Sequence, residues 1–395
     1  MKKVLSFSIL LLLGLVLSQT LPTIFGEDYD TAKNHILTPL LSICLSFIMI
    51  NVGREFELDK SRWRDYTADY FIAMATAALP WILIALYFIF VLLPSTMWGE
   101  GQVWRESLLL SRFAAPTSAG ILFAMLATLN LSKSWIYQKI QVLAIFDDLD
   151  TILLMIPLQM LMIGMKWQMG AMVAIVVLLL WFGWKKLESY DIPQGWGAIL
   201  SYSVAVVVIT QIIYAVTYIY FGHENSIHIE VLLPAFVLGM VIKHQHHESK
   251  ISKRVTSSIS LLFMFLVGLS VPFIIGGEFE HGGEAMISHV PMMPWHEIGF
   301  HVLMVSIISN LGKLVPVFFY RDRKLSERLA VSVGMFTRGE VGAGVIFIAI
   351  GYNLGSNALI IAALTLVLNL ILTGGFVVWV KQLAMKTYTP EEEVE

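Results

Sequence analysis

Long apolar runs alternate with short polar stretches along almost the whole chain. Twelve runs stand out as candidate membrane-crossing helices: 4–20, 36–53, 68–94, 106–129, 136–163, 168–184, 196–221, 227–242, 256–276, 297–319, 329–352 and 356–380. A helix needs roughly 20 apolar residues to cross a hydrocarbon core about 30 Å thick, and only structures that satisfy their own backbone hydrogen bonds are stable there. The pattern therefore predicts an all-α polytopic membrane protein with about twelve transmembrane helices. Lys2 and Lys3 ahead of the first run resemble the start of a signal peptide. Leu17-Ser18-Gln19 is a poor cleavage site, so Met1–Thr20 reads as a retained first helix.

Composition agrees. Of 395 residues, 57% are hydrophobic and 14% charged, with a mean hydropathy of +0.74. Soluble domains carry about 25% charged residues, and a water-soluble chain this apolar would have no surface to offer. The net charge of -3 adds nothing in such a protein. Cys44 is the only cysteine, which excludes an internal disulfide and redox chemistry at a cysteine pair. No G-x-G-x-x-G follows the last segment, so no nucleotide-binding domain, cofactor or nucleic-acid partner is expected.

Basic residues favour the cytoplasmic side of membrane proteins. With all twelve segments spanning and the N-terminus inside, the inner loops hold twenty of the 26 Lys and Arg residues. The outer ones hold only Lys33, Arg105 and Lys166. This split supports the segment count and places both termini in the cytoplasm, with the protein in the cell inner (plasma) membrane. The largest outer loop is 277–296, and the tail 389–395 is short and acidic. Lys243-His244-Gln245-His246-His247-Glu248 reads as a solvated loop rather than a metal site or pH sensor. Trp98, Trp104, Trp135, Tyr137, Trp167, Trp184 and Trp196 read as interfacial anchors.

Ionisable groups at bilayer depth are costly and usually mark function. Seven stand out: Arg112, Asp147, Asp148, Asp150, Lys313, Arg338 and Glu340. If each cation neutralises one carboxylate, one carboxylate remains for a proton or a cation. The densest group is Phe146-Asp147-Asp148-Leu149-Asp150, near the middle of segment five. On a helix Asp147 and Asp150 lie about 60° apart, and Asp148 about 100° from Asp147, so the two adjacent acids face different neighbours. Adjacent carboxylates out of bulk water repel one another and are poorly solvated, so either a proton or a small cation is welcome. That competition is the simplest physical basis for antiport. Lys313 in segment ten needs a carboxylate, for which Asp147 is the candidate; the alternative is snorkelling to the inner interface.

Two segments should be broken. Segment four contains Arg112-Phe113-Ala114-Ala115-Pro116-Thr117-Ser118-Ala119-Gly120, where proline removes a backbone donor and clashes with the preceding turn. Freed carbonyls and the hydroxyls of Thr117 and Ser118 suit a small hard cation; the alternative is an ordinary proline kink. Segment eleven contains Gly334-Met335-Phe336-Thr337-Arg338-Gly339-Glu340-Val341-Gly342-Ala343-Gly344, whose four glycines weaken a helix and permit close crossing. Arg338 and Glu340 can form a buried pair there, or Arg338 can lie near the interface beside a glycine-rich packing face. Segments four and eleven run in opposite directions, which predicts an inverted repeat with a binding site near the midplane. Segment five would then correspond to twelve, and three to ten.

The ordered set Ala114-Ala115-Pro116-Thr117-Ser118, Asp147-Asp148, Lys313 and Gly334-Met335-x-x-Arg338-Gly339-Glu340-Val341 resembles the bacterial cation:proton antiporter superfamily, most closely its two-aspartate, electrogenic sodium/proton branch. Val52-Gly53-Arg54-Glu55-Phe56 is similar to a family turn, with Arg54 in place of leucine. The resemblance implies two interrupted helices crossing beside the aspartate helix. It implies Asp148 as main carrier of cation and proton, and Asp147 paired with Lys313, which can also give up a proton. Transported sodium would be held by Asp148 and Asp147, with Thr117 lining the site, and Arg338 and Glu340 would stabilise the second break or the cytoplasmic funnel. It further implies a homodimer in lipid, with a core bundle over 66–163 and 297–380 and dimerisation helices over 4–53 and 168–276 of one transmembrane transporter domain. Pro116, Arg112 and Asp150 depart from the family pattern; Arg112 is a candidate partner for Asp150 or, instead, for Asp148.

The expected activity is therefore exchange of sodium (or lithium) for protons by alternating access. A potassium/proton antiporter of the same superfamily is the alternative, because both cations use oxygen ligands. An intramembrane aspartic protease is a remote third, since it needs aspartates facing each other from different helices, whereas Asp147, Asp148 and Asp150 share one.

Overall fold

The structure is a computed structural model that describes residues 2–25, 33–54, 63–117, 134–163, 167–187, 189–221, 231–243, 250–270, 293–352, 354 and 357–386. In chain order the helices are α1 (Lys2–Phe25), α2 (Thr38–Arg54), α3 (Trp63–Tyr87), α4 (Gly101–Ser111), α5 (Trp135–Ile163), α6 (Trp167–Lys185), α7 (Trp196–Phe221), α8 (Leu232–Val241), α9 (Lys250–Ser270), α10 (Trp295–Gly312), α11 (Pro316–Phe319), α12 (Leu325–Gly334), α13 (Glu340–Gly351) and α14 (Asn357–Met385). Among the described residues the one β pairing is an isolated bridge between Tyr190 and Ile242. The stretches His35–Arg54, Thr67–Leu92, Trp196–Tyr220, Trp295–Phe319 and Asn357–Met385 are long and apolar enough to cross a membrane. The 29-residue α5 is as long but carries three aspartates along its middle. The fold is that of an all-α polytopic membrane protein.

Most boundaries fall within a few residues of the hydrophobic pattern; 196–221, for instance, is α7. Segment ten differs. A continuous helix over 297–319 is expected, yet α10 stops at Gly312, residues 313–315 form a turn, and α11 adds a single turn from Pro316. Pro316 supplies the reason: its ring displaces the carbonyl four residues earlier, that of Gly312, and it has no N–H to donate. Segment four is interrupted where the proline predicts, with a 3-10 turn at Arg112–Ala114 after α4 and non-helical residues 115–117. The expectations for most of the loop 277–296, for residues 244–248, for Glu55 and Phe56 and for the tail 389–395 lie outside the described residues.

Two compact units are formed. The first comprises Met1–Ile9, Lys60–Thr151 and Ile274–Glu395; the second comprises Leu10–Asp59 and Ile152–Phe273. In the first, α10 packs on α3 and α14, and α12 packs on α14. Amides fasten α10 to α14: Ser306 Oγ (3.1 Å) and Asn310 Nδ2 (2.9 Å) both donate to Asn369 Oδ1.

The second unit is built on two glycine-paired crossings. A Cβ on Gly53 of α2 would lie 2.1 Å from the Phe236 carbonyl oxygen, and one on Gly239 of α8 would lie 2.2 Å from that of Ile50. Gly14 of α1 and Gly268 of α9 repeat the arrangement, at 2.1 Å from the Phe265 oxygen and 2.2 Å from the Leu11 oxygen. Lipid gives helices no hydrophobic reason to associate, so close backbone packing through small residues supplies the attraction. At the end of α2, Arg54 Nη2 donates to Gln194 Oε1 (3.1 Å), whose amide in turn donates to the Lys243 carbonyl (2.6 Å).

Gly239→Ala is expected to cost about 1–3 kcal/mol through overpacking, read as a lower melting temperature in detergent. Gly99→Ala, with nothing within 4 Å of the new methyl group, should leave it unchanged.

Candidate functional site

The site lies in the first unit, where four chain segments meet. Residue 147 sits on α5, and Lys313 caps the C-terminus of α10 in the turn that Pro316 enforces. Lys313 Nζ lies 2.7 Å from Asp147 Oδ2, and neither side chain has any solvent exposure. The snorkelling alternative for Lys313 is thereby excluded. The ammonium also donates to Thr117 Oγ1 at 3.3 Å. Asp147 Oδ1, although buried, has no hydrogen-bond partner among the described residues. One oxygen of this carboxylate is thus committed to the lysine, and the other has lone pairs that no described residue takes up.

Both chain breaks abut this pair. After the 3-10 turn at Arg112–Ala114, residues 115–117 leave the helix, and the Thr117 hydroxyl donates to the Met335 carbonyl at 3.1 Å. Met335 begins the second break, residues 335–339, between α12 and α13. The same carbonyl accepts from Arg338 Nη1 at 3.0 Å, and Arg338 Nη2 reaches the Ser309 carbonyl at 3.4 Å. The guanidinium is only 1% exposed, and beside the C-terminus of α12 it meets the negative end of that helix dipole, which offsets part of the cost of burying it. Gly342 lets the breaks touch: a Cβ there would lie 2.8 Å from the Phe113 carbonyl oxygen.

Arg112 of the 3-10 turn and Asp150 of α5 form a second polar group. The guanidinium of Arg112 donates to the backbone carbonyl of Asp150 (2.7 Å) and lies 4.6 Å from the centroid of the Trp81 ring. Of the two partners offered for Arg112, Asp150 is met at its peptide carbonyl, while the Asp150 carboxylate accepts from the Tyr70 hydroxyl at 3.0 Å. Asp148 and Glu340 lie on helices, but their side chains, like all of Ser118, are outside the described residues. The pairing of Arg338 with Glu340 and of Arg112 with Asp148 falls there too.

Sequence reasoning passed over two buried carboxylates, Asp69 at 3% and Glu106 at 0% exposure. Each falls at the first residues of an apolar run, where a charge reads as a segment end. Glu106 accepts from Gln102 Nε2 at 2.8 Å, one turn earlier on α4, and that i, i+4 spacing was a usable signal. Asp69 pairs with Lys139 of α5 at 2.6 Å, a contact no local pattern announces.

The sequence matches the family described as sodium/hydrogen exchanger, transmembrane, over residues 3–383. A solved structure of the sodium proton antiporter MjNhaP1 from Methanocaldococcus jannaschii, at pH 8, is similar with a TM-score of 0.59 and 16% identity, covering 93% of this chain and 92% of that one. At that identity the likeness is one of fold. No curated protein matches the sequence.

Removing Lys313 leaves a buried carboxylate without its cation, which typically costs about 3–5 kcal/mol. Lys313→Ala should lower the melting temperature while the purified protein still elutes as one species; an unchanged melting temperature would argue that the Asp147–Lys313 pair contributes nothing to stability.

Proposed function

This chain belongs to the sodium/hydrogen exchanger family, and from that premise we propose that it exchanges sodium (or lithium) for protons by alternating access. Cation/proton antiport is the family's class of activity, and the chain is a multi-pass membrane transporter rather than an enzyme. The observation that carries the finer reading is the buried Asp147–Lys313 pair, set where Thr117 of one break touches Met335 of the other.

The chemistry follows from what these groups can hold. A carboxylate oxygen binds a proton or a sodium ion, not both, so cation entry expels the proton and the two fluxes are coupled. Asp147 has an oxygen with no partner among the described residues, and the Thr117 hydroxyl lies against the same lysine. Asp148, adjacent on α5, is the main carrier in this reading, with Ser118 a further oxygen ligand. When a cation approaches Asp147, the lysine loses part of its counter-charge and can release a proton to the open side. Two acids and one releasable lysine proton support the two-aspartate, electrogenic branch. Sodium is the transported substrate here, not a resident metal.

The surrounding assignments are part of the same reading. We place the protein in the plasma membrane with both termini cytoplasmic, as a homodimer. The transport core would lie over 66–163 and 297–380, with dimerisation helices over 4–53 and 168–276.

Proteoliposomes with an acidic interior and a pH-sensitive dye test this directly. Sodium or lithium added outside should alkalinise the interior, and Asp148→Asn should abolish the response while the protein stays folded. Exchange at the native rate in Asp148→Asn would remove that residue as carrier. A response to potassium alone would make the protein a potassium/proton antiporter, and silence toward all three cations would refute cation exchange.

A further inference from the structure

We propose that Asp69 is a positioning residue for exchange: together with Pro80 it fixes where Lys313 sits against Asp147. The inference rests on the exchange reading of that pair. Asp69 is on α3 and touches none of the described groups of the site, yet both its oxygens are engaged by the two segments that carry the pair. Oδ2 accepts from Lys139 Nζ at 2.6 Å, and Oδ1 accepts from the Tyr320 hydroxyl at 2.8 Å. Lys139 precedes Asp147 on α5 by eight residues, about 12 Å of helix. Tyr320 follows Lys313 by seven, just beyond α11.

Lys313 is the member of the pair that needs such support. It lies in a turn, where no regular ladder of i to i−4 hydrogen bonds fixes its place, so its position depends on what holds the chain on either side. On one side Gly312 is pressed against α3: a Cβ there would lie 2.7 Å from the Pro80 backbone. On the other side Tyr320 is tied to Asp69. Pro80 and Asp69 are eleven residues apart, three turns and within about 20° of one face. One face of α3 therefore grips the chain at both ends of the segment that presents Lys313.

Aromatic contacts double the tie between the start of α5 and this segment. The Trp135 and Tyr320 rings meet edge to face at 5.4 Å. Arg323 lies 4.9 Å from the Trp135 centroid, and Lys139 lies 5.6 Å from that of Tyr320. Arg328 Nη1 holds the Val317 carbonyl of α11 at 2.8 Å. The charge of Asp69 is matched locally by Lys139, so its role is geometric. Misplacing a reacting group by about 1 Å can cost on the order of a hundredfold in rate.

The test compares wild type with Asp69→Asn, Tyr320→Phe and Lys139→Arg in the proteoliposome assay, per folded transporter. Asp69→Asn should raise the sodium concentration for half-maximal response by about threefold or more, Tyr320→Phe less, and Lys139→Arg little, as expected for a displaced rather than missing ligand. Spin labels at the exposed positions 138 and 321, with buried Cys44 left unlabelled, should show a wider distance distribution in Asp69→Asn. A half-maximal concentration and a distance distribution unchanged in both Asp69→Asn and Tyr320→Phe would overturn the proposal, even if yields fall. Tyr320→Phe, which deletes a single hydroxyl, decides the matter if Asp69→Asn does not fold. A wild type that responds to no cation would sink the exchange reading and with it the positioning role in exchange, while the label distances would still report whether Asp69 holds the two segments together.

Discussion

A lysine and an aspartate 2.7 Å apart, both without solvent exposure, constrain everything around them. Taking two such charges out of water costs several kcal/mol per ion, and their attraction offsets this only with good geometry and further hydrogen bonds. The ammonium donates to Asp147 and Thr117, but the second oxygen of the carboxylate has no partner among the described residues. A pair optimised for stability would fill that position. In the exchange reading, an oxygen without a described partner suits a site whose occupant comes and goes, because an incoming cation finds a lone pair ready and a neighbouring charge that can yield.

The breaks on either side serve the same constraint. An unbroken helix spends its carbonyls on its own ladder, which leaves each only a second lone pair to offer. Once the chain leaves helical geometry, the Met335 carbonyl can accept from both Thr117 and Arg338, and so binds the breaks to each other. Irregular backbone at membrane depth survives only where protein or a cavity satisfies it, and here each break satisfies part of the other. Arg338 is then better understood as a cap for the C-terminus of α12 than as a member of the exchange chemistry.

Buried polar residues outside the pair divide the work of holding it. Arg112 braces the peptide of Asp150 rather than its charge, and Tyr70 holds that carboxylate from α3. Asp69 and Pro80, also on α3, flank the turn that presents Lys313. One apolar helix with few charges thereby sets the geometry of a site to which it contributes no ligand, which is a common division between the groups that react and those that fix their distances.

The sequence by itself determined the membrane character and the approximate helix boundaries, because hydrophobic length is a local property that the bilayer reads directly. It also singled out Asp147, Lys313, Thr117 and Arg338, since charges and a proline amid apolar residues are conspicuous wherever the chain goes. The interruption at Lys313 was within reach of the same reasoning, as Pro316 stands three residues on, but an apolar run hides a turn as easily as a helix. Other features were decided only by tertiary structure: that Arg112 would meet the carbonyl of Asp150 and not its carboxylate, and that Asp69 would join Lys139, 70 residues on, to Tyr320, 251 residues on. Hydrogen-bond partners so far apart in sequence are chosen by which helix faces pack together, and that choice is made by summed shape and burial over whole helices, not by the identity of the residues that end up in contact.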